Sequence, residues 1–163
     1  MGKIPADYLP PKELWADYTA PEEFKQYATG KWNIAEEFLD KHVKEGRGDQ
    51  AAILFGDQKV TYKELLAMAN KFANVLTKIG VTAQDRVGLR MTNMPEAVAA
   101  NFGVQKVGAI PVPVSPLWAK EEVAFVVNNA EFAAFVVSAP LMGPVEDAKH
   151  EFEFGTKLVV VGG

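Results

Sequence analysis

The sequence has 163 residues, of which 48% are hydrophobic and 23% charged, and its formal net charge at pH 7 is −4. This length and composition fit one globular domain with a sizeable core, and the acidic balance without a basic patch argues against nucleic acid as a partner. The absence of cysteine excludes disulfides, thiolate zinc sites and a cysteine nucleophile. No apolar run approaches the roughly 20 residues of a membrane span. The N-terminus lacks the apolar region of a signal peptide, so a cytoplasmic location is expected.

Residues 1–31 show no clear hydrophobic period, but they are rich in proline and in aromatic residues such as Trp15 and Phe24. Disordered tails are usually poor in aromatics. We therefore expect residues 1–31 to form an extended arm that packs on a folded surface, with one short helix at Pro21–Tyr27. The domain boundary is predicted after residue 31, and residues 32–163 are expected to form an α/β subdomain.

A helix over residues 33–43 and a β-hairpin are the first regular elements predicted. Asn33 can cap this helix, and Phe38, Leu39 and His42 fall on one face of it. His42 is therefore expected to be a packed helix residue rather than a metal or ligand contact. The strands of the hairpin are predicted at Ala51–Phe55 and Lys59–Tyr62.

A long helix with signals at both ends follows the hairpin. Thr61 and Glu64 have the spacing of a capping box, in which each residue's side chain accepts from the other's backbone N–H. Apolar side chains recur every three or four residues from Tyr62 to Ile79, as on one face of a helix. Gly80 then supplies the left-handed residue that commonly ends a helix.

Beyond Gly80, short apolar runs alternate with helical patterns of about a dozen residues. The predicted strands are Arg86–Met91, Ala109–Val114, Ala133–Ser138 and Lys157–Val161, and the predicted helices are Pro95–Val107, Ala119–Ala130 and Leu141–Phe152. This alternation is typical of an α/β fold with a mainly parallel, doubly wound sheet and helices on both faces. The hairpin and the aromatic-rich arm precede it.

Two of these elements have unusual compositions. The helix Pro95–Val107 contains several alanines and a glycine and is apolar nearly all round, so we expect it to be the most buried helix, covered on its outer side by something that this chain need not supply. The strand Ala109–Val114 contains Pro111 and Pro113, which both lack an N–H on the same side. A full ladder on both sides is then impossible, and we expect this strand at a sheet edge.

Sequence motifs for catalysis or metal binding are absent. Neither Ser115 nor Ser138 lies in a G-x-S-x-G elbow, and the two histidines form no metal-binding pair, so no catalytic or metal-ligating residue is predicted. The run Gly46–Ala51 loosely matches the dinucleotide fingerprint. It follows a predicted helix and precedes a strand, whereas the fingerprint must follow a strand and open a helix.

Several longer segments resemble those of one enzyme family. They are T-Y-K-E-L at 61–65, G-V-T-A-Q-D-R-V at 80–87, N-M-P-E at 93–96 and G-A-I-P-V-P-V at 108–114. Together they resemble the N-terminal portion of AMP-forming acyl-CoA synthetases, members of the adenylate-forming, AMP-binding ligase superfamily, over roughly residues 32–162. One departure is Gln84, where the family usually has glycine.

The resemblance implies an ATP-dependent carboxylate–CoA ligase that converts an acid, ATP and coenzyme A to acyl-CoA, AMP and pyrophosphate through an acyl-adenylate. ATP, magnesium and coenzyme A would serve the full-length enzyme, with a small carboxylic acid as substrate and the rest of its own chain as partner. The family's phosphate loop, T-S-G-T-T-G-x-P-K, is missing from this sequence. The chain alone is therefore expected to be an inactive scaffold that binds none of these ligands tightly.

Ligand contacts in open α/β sheets come from loops after the carboxyl ends of strands. The candidates here are 92–94, 138–140 and Ser115, Pro116, Leu117 and Trp118. In related acyl-CoA synthetases the loop corresponding to 115–118 can lie near the nucleotide end of coenzyme A, so these four residues are the predicted cofactor-binding candidates. Trp118 either stacks on adenine or covers a helix start, and the structural role is favoured.

Two other functions remain open at this point. One is a free-standing α/β nucleotide-binding domain, which the missing phosphate loop disfavours. The other is a non-catalytic interaction module that uses the apolar helix and the aromatic arm as partner surfaces. The identity of the acid, the thiol acceptor and the oligomeric state are not specified by the sequence.

Overall fold

The computed structural model describes residues 11–14, 21–22 and 32–162. The chain divides into two compact units, with the division between Trp32 and Asn33. The described part of the first unit includes the 3₁₀ turn Lys12–Leu14. Most of the predicted arm and most of its predicted helix lie outside the described residues, so both stay predictions.

The second unit begins with a helical segment that Asn33 caps as predicted. Its Oδ1 accepts a hydrogen bond from the Ala35 N–H at 2.9 Å. A π-helical turn, Glu36–Asp40, comes before the α-helix α1, Lys41–Lys44. Phe38 does not share the environment of Leu39 as the predicted common face implies, because Leu39 is buried whereas Phe38 is 58% exposed. A π turn holds more residues than an α turn, so the apolar period of an ordinary helix does not place Phe38 correctly.

The hairpin and the long helix agree with the sequence predictions. Strands β1, Ala51–Phe55, and β2, Gln58–Thr61, form a two-stranded antiparallel sheet. Helix α2, Tyr62–Lys78, follows directly. The Glu64 N–H donates to Thr61 Oγ1 at 3.2 Å, and the Thr61 N–H donates to Glu64 Oε2 at 2.8 Å, so the capping box is complete.

Four parallel strands form the second sheet, in the order β4-β3-β5-β6. Their bounds are β3 Arg86–Arg90, β4 Ile110–Pro113, β5 Ala134–Ser138 and β6 Lys157–Val161. Strand β4 lies at an edge, as predicted. The N–H groups of Ile110 and Val114 donate to Asp85 O and Leu89 O, at 2.8 and 2.9 Å. Alternation then turns the two proline nitrogens of β4 to the free side, where no ladder bond is lost.

Helices cover both faces of this sheet. Helix α3, Pro95–Lys106, and α2 pack on the face that carries Val87 and Leu89 of β3. Helices α4, Lys120–Asn129, and α5, Gly143–Ala148, pack on the opposite face. Among the helices that the structure describes, α3 has the largest buried fraction, and only Val98 on it is exposed. The prediction that this helix is the most buried is therefore confirmed.

The helix predicted at Leu141–Phe152 is shorter than expected. Two 3₁₀ turns, Ala139–Leu141 and Lys149–Glu151, lie on either side of α5. A proline in the first turn of α5 suits a helix start. Because this proline has no N–H to donate, the 3₁₀ turn before it does not continue into the same helix. No helix among the described residues is both long and apolar enough to cross a membrane.

Candidate functional site

The three loops predicted as ligand contacts all lie at the carboxyl edge of the parallel sheet. They follow β3, β4 and β5, which are hydrogen-bonded neighbours in parallel register. The loop after β3 leads into α3 on one face, whereas the loops after β4 and β5 lead into α4 and α5 on the other. The chain therefore diverges at the end of β3, which is the geometry of a topological switch point.

Arg90, the last residue of β3, is the charged group at this edge, and only 1% of it is exposed. Its Nη1 donates to Ser115 O at 2.6 Å, and its Nη2 donates to Trp118 O at 2.8 Å and to Pro116 O at 3.1 Å. Its Nε points to Leu141 O at 3.4 Å. Every acceptor is a backbone carbonyl, and burial lowers the pKa of the guanidinium from its ordinary value.

A buried guanidinium without a carboxylate partner carries a large desolvation cost. The hydrogen bonds to the surrounding carbonyls offset this cost only if the carbonyls stay in place, since each unsatisfied buried polar group costs about 1–3 kcal/mol. Arg90 and the two loops around it therefore depend on one another.

The predicted cofactor-binding loop, residues 115–118, is held by its backbone, and Leu117 and Trp118 are its large exposed residues. Leu117 is 91% exposed and Trp118 38% exposed, and the Leu117 N–H donates to Ser115 Oγ at 3.2 Å. Ala119 caps α4, and its N–H donates to Glu122 Oε2 at 3.0 Å. Trp118 lies directly before Ala119, the N-cap position of α4, and both interpretations of its role stay predictions.

The loop after β3 and the end of β5 meet on the face of the sheet that α3 covers. Ser138 ends β5 and is 4% exposed. Its hydroxyl donates to the thioether sulfur of Met94 at 3.7 Å, and the Thr92 hydroxyl donates to the same sulfur at 3.6 Å. A thioether is a weak acceptor, so these contacts orient the loops and supply no reactive group.

An open groove of about 590 Å³ runs along the face of the sheet that α3 covers. Its walls are the hairpin residues Ile53 and Phe55, the segment 91–94 after β3, and the outer side of α3 around Val98. None of the described residues that line it carries an ionisable side chain. The groove is therefore suited to apolar groups and supplies no acid or base.

Metal-ligating side chains do not cluster among the described residues. No cluster of three or more histidine, cysteine, aspartate or glutamate side chains is placed to hold a metal ion there. His42 stacks on Tyr62 with ring centroids 4.3 Å apart and accepts from Arg47 Nε at 2.9 Å, which confirms its packing role.

Sequence reasoning found the loops but missed Arg90. Arginine at the end of a strand ordinarily reads as a solvent-exposed residue. The sequence carried one weak signal for its burial, because Arg90 follows the apolar residues Val87 and Leu89 within a predicted strand.

Comparisons with known proteins agree with this architecture. The model of the AMP-binding enzyme family matches residues 39–161. The chain is 31% identical to the 3-hydroxybenzoate–CoA/4-hydroxybenzoate–CoA ligase of Thauera aromatica, over 80% of this chain and 25% of that protein. It is 35% identical to an acetyl-coenzyme A synthetase of Streptomyces avermitilis, over 76% of this chain and 20% of the relative.

A solved structure shares the same arrangement of elements. The anthranilate CoA ligase AuaEII in complex with anthranoyl-AMP superposes with a TM-score of 0.75 and 25% identity, over 81% of this chain and 25% of the ligase. The fold is thus the α/β arrangement of adenylate-forming CoA ligase N-terminal domains. The chain belongs to the AMP-binding enzyme family. It spans about a quarter or less of the length of these relatives.

Proposed function

We propose that this chain forms the N-terminal part of an AMP-forming carboxylate–CoA ligase. The observation that carries the proposal is the family match over residues 39–161, together with relatives whose names are hydroxybenzoate–CoA ligase and acetyl-coenzyme A synthetase. In the reaction, the acid's carboxylate displaces pyrophosphate from ATP to form an acyl-adenylate. The thiol of coenzyme A then displaces AMP to form the thioester.

In this ligase the described residues act as scaffold. They supply an apolar core and loops at the carboxyl edge of the sheet, and no cluster of three or more histidine, cysteine, aspartate or glutamate side chains among them is placed to hold a metal ion. ATP and its metal would be bound by other segments of the enzyme. Ser115, Pro116, Leu117 and Trp118 would approach coenzyme A, and the exposed part of Trp118 is the surface that could meet the adenine ring.

The experiment that tests the proposal is carboxylate-dependent ATP–pyrophosphate exchange. It uses the natural-length polypeptide with a panel of acetate, long-chain fatty acids, benzoate, hydroxybenzoates and 2-aminobenzoate. The 163-residue chain is the control. We expect exchange from the natural-length protein and none from the control, and addition of coenzyme A should convert the adenylate to a thioester.

Each result has a defined meaning. Silence from a folded natural-length protein with every acid would refute the ligase proposal and favour a binding or interaction role. Exchange by the 163-residue chain would refute the scaffold role, since it would require an ATP site within these residues. The acid that supports the fastest exchange identifies the substrate class.

A further inference from the structure

We propose that Arg90 is a positioning residue at the carboxyl edge of the sheet. It holds the backbone of the loop 115–118 in place, and in the proposed ligase this loop contributes to the binding of coenzyme A. The inference rests on the proposed ligase function. It concerns a residue that touches none of the reacting groups and acts through the backbone of two loops.

The side chain of Arg90 fills a space that the strand order creates. Alternation along β3 places Gly88 and Arg90 on the face opposite Val87 and Leu89. The face is confirmed at Gly88, where an added Cβ would meet the ring of Phe132. Because the chain leaves β3 toward the α3 face, the loop after β3 does not cover the end of the strand on the face that carries Gly88 and Arg90. The guanidinium occupies the uncovered position.

From this position Arg90 connects two loops that are distant in sequence. Three of its contacts go to carbonyls of the loop after β4, at Ser115, Pro116 and Trp118, and the fourth goes to Leu141 after β5. A planar guanidinium with five N–H donors can satisfy acceptors in several directions at once, whereas a lysine ammonium on the same strand cannot reproduce this fan.

The contacts of Arg90 go to the backbone of the loop and not to its side chains. No side chain of the loop is among the acceptors of Arg90, and Leu117 and Trp118 remain exposed. Loss of Arg90 should therefore displace the loop as a unit. Loss of a single loop side chain should remove one surface contact without moving its neighbours.

The kinetic test uses the natural-length enzyme with Arg90→Met, Arg90→Gln and Arg90→Lys. The matched control is Arg86→Met. Arg86 also lies on β3 and donates to a loop carbonyl, Ala130 O, and to Glu131, but at the opposite edge of the sheet. ATP–pyrophosphate exchange reports adenylation without coenzyme A, and thioester formation reports the second half-reaction.

We expect the KM for coenzyme A to rise by about 10-fold to 100-fold in Arg90→Met, because a displacement near 1 Å costs up to that much in a positioned site. Pyrophosphate exchange should stay within about two-fold of the wild type. Arg90→Lys should fall between the wild type and Arg90→Met. Arg86→Met should leave the KM for coenzyme A unchanged.

Hydrogen–deuterium exchange on the same proteins tests the loop directly and does not depend on activity. In the Arg90 variants, amides in 115–118 and 139–142 should exchange faster while those of the β1–β2 hairpin do not change. In Arg86→Met the faster amides should instead lie at 130–133.

An equal loss of exchange and thioester formation, or an unchanged KM for coenzyme A in Arg90→Met, would overturn the proposal. Unfolding of all three Arg90 variants would also overturn it, since Arg90 would then be a residue of the core alone. If the wild type catalyses no pyrophosphate exchange, the ligase function fails by itself. The deuterium result then decides whether Arg90 positions the loops.

Discussion

Substitution of Gly103 by alanine should destabilise the protein, although alanine is the better helix former. Gly103 lies in α3 where this helix crosses α2. A Cβ at this position would lie 2.5 Å from Phe72 Cβ, 3.0 Å from Ala69 O and 3.2 Å from Ala73 N. The last two atoms belong to the backbone of α2, so no rotamer change can move them away, and the two helices must separate.

The magnitude follows from two opposing effects. Carbon atoms pack favourably at about 3.5–4.0 Å, so relief of the closest contact requires a shift of order 1 Å in a close-packed core. Overpacking costs about 1–3 kcal/mol, and the backbone contacts place Gly103→Ala at the upper end of that range. Helix propensity returns about 1 kcal/mol. We expect a net loss of about 2 kcal/mol in the free energy of unfolding.

Urea denaturation followed by circular dichroism measures this loss. The matched control is Gly143→Ala, also in a helix, where an added Cβ would meet no atom within 4 Å. The control should change stability by no more than about 0.5 kcal/mol or raise it, and the denaturant slope should be unchanged in both variants. A Gly103→Ala protein as stable as the control would refute the close approach of α2 and α3.

Three further predictions concern a strained turn, an ion pair and a helix cap. Gln84 has φ of +73°, a conformation that costs an L-residue about 1–2 kcal/mol. Glycine removes this strain but loses more backbone entropy on folding. Gln84→Gly should therefore raise the free energy of unfolding by about 1 kcal/mol. The adjacent Ala83→Gly, where φ is not positive, should lower it, and a loss at both positions would contradict the strain. Both carboxylate oxygens of Asp40 accept from Lys106 Nζ at 2.7 Å in a largely buried pair. A double-mutant cycle that replaces each residue by alanine should therefore give a coupling free energy of about 1 kcal/mol. Additive losses of stability would show that the pair contributes nothing. Hydrogen bonds from the Thr61 backbone and hydroxyl lower the pKa of Glu64 below its ordinary 4.5. The wild type's advantage in Tm over Glu64→Gln should therefore be constant above about pH 4.5 and shrink as the pH falls through the lower folded-state pKa, and a gap independent of pH would contradict it.

Local signals in the sequence were sufficient wherever neighbours along the chain decide the structure. The Thr61–Glu64 capping box depends on four consecutive residues, and it formed as predicted. The prolines of β4 constrain their own strand, and they placed it correctly at the edge. The position Gln84 shows that the resemblance also carried information, because the residue that replaces the family's glycine retains a left-handed backbone.

The errors and omissions of the sequence predictions arise where residues distant in the sequence determine the local structure. Phe38 faces solvent because a π turn interrupts the helix, and nothing in its local apolar period indicates such a turn. Arg90 finds its acceptors 25–51 residues further along the chain. Its burial depends on which face each loop takes, and that choice is fixed only when the strand order is known.

The strand order therefore explains both the groove and the buried arginine. The chain leaves β3 toward α3, whereas it leaves the neighbouring strands β4 and β5 toward α4 and α5. The end of β3 is therefore open on the α3 face and crowded on the face of α4 and α5. On the α3 face the departing loop and the hairpin leave an open apolar groove. On the opposite face the same divergence would leave a hole beneath two converging loops, and the guanidinium of Arg90 fills it.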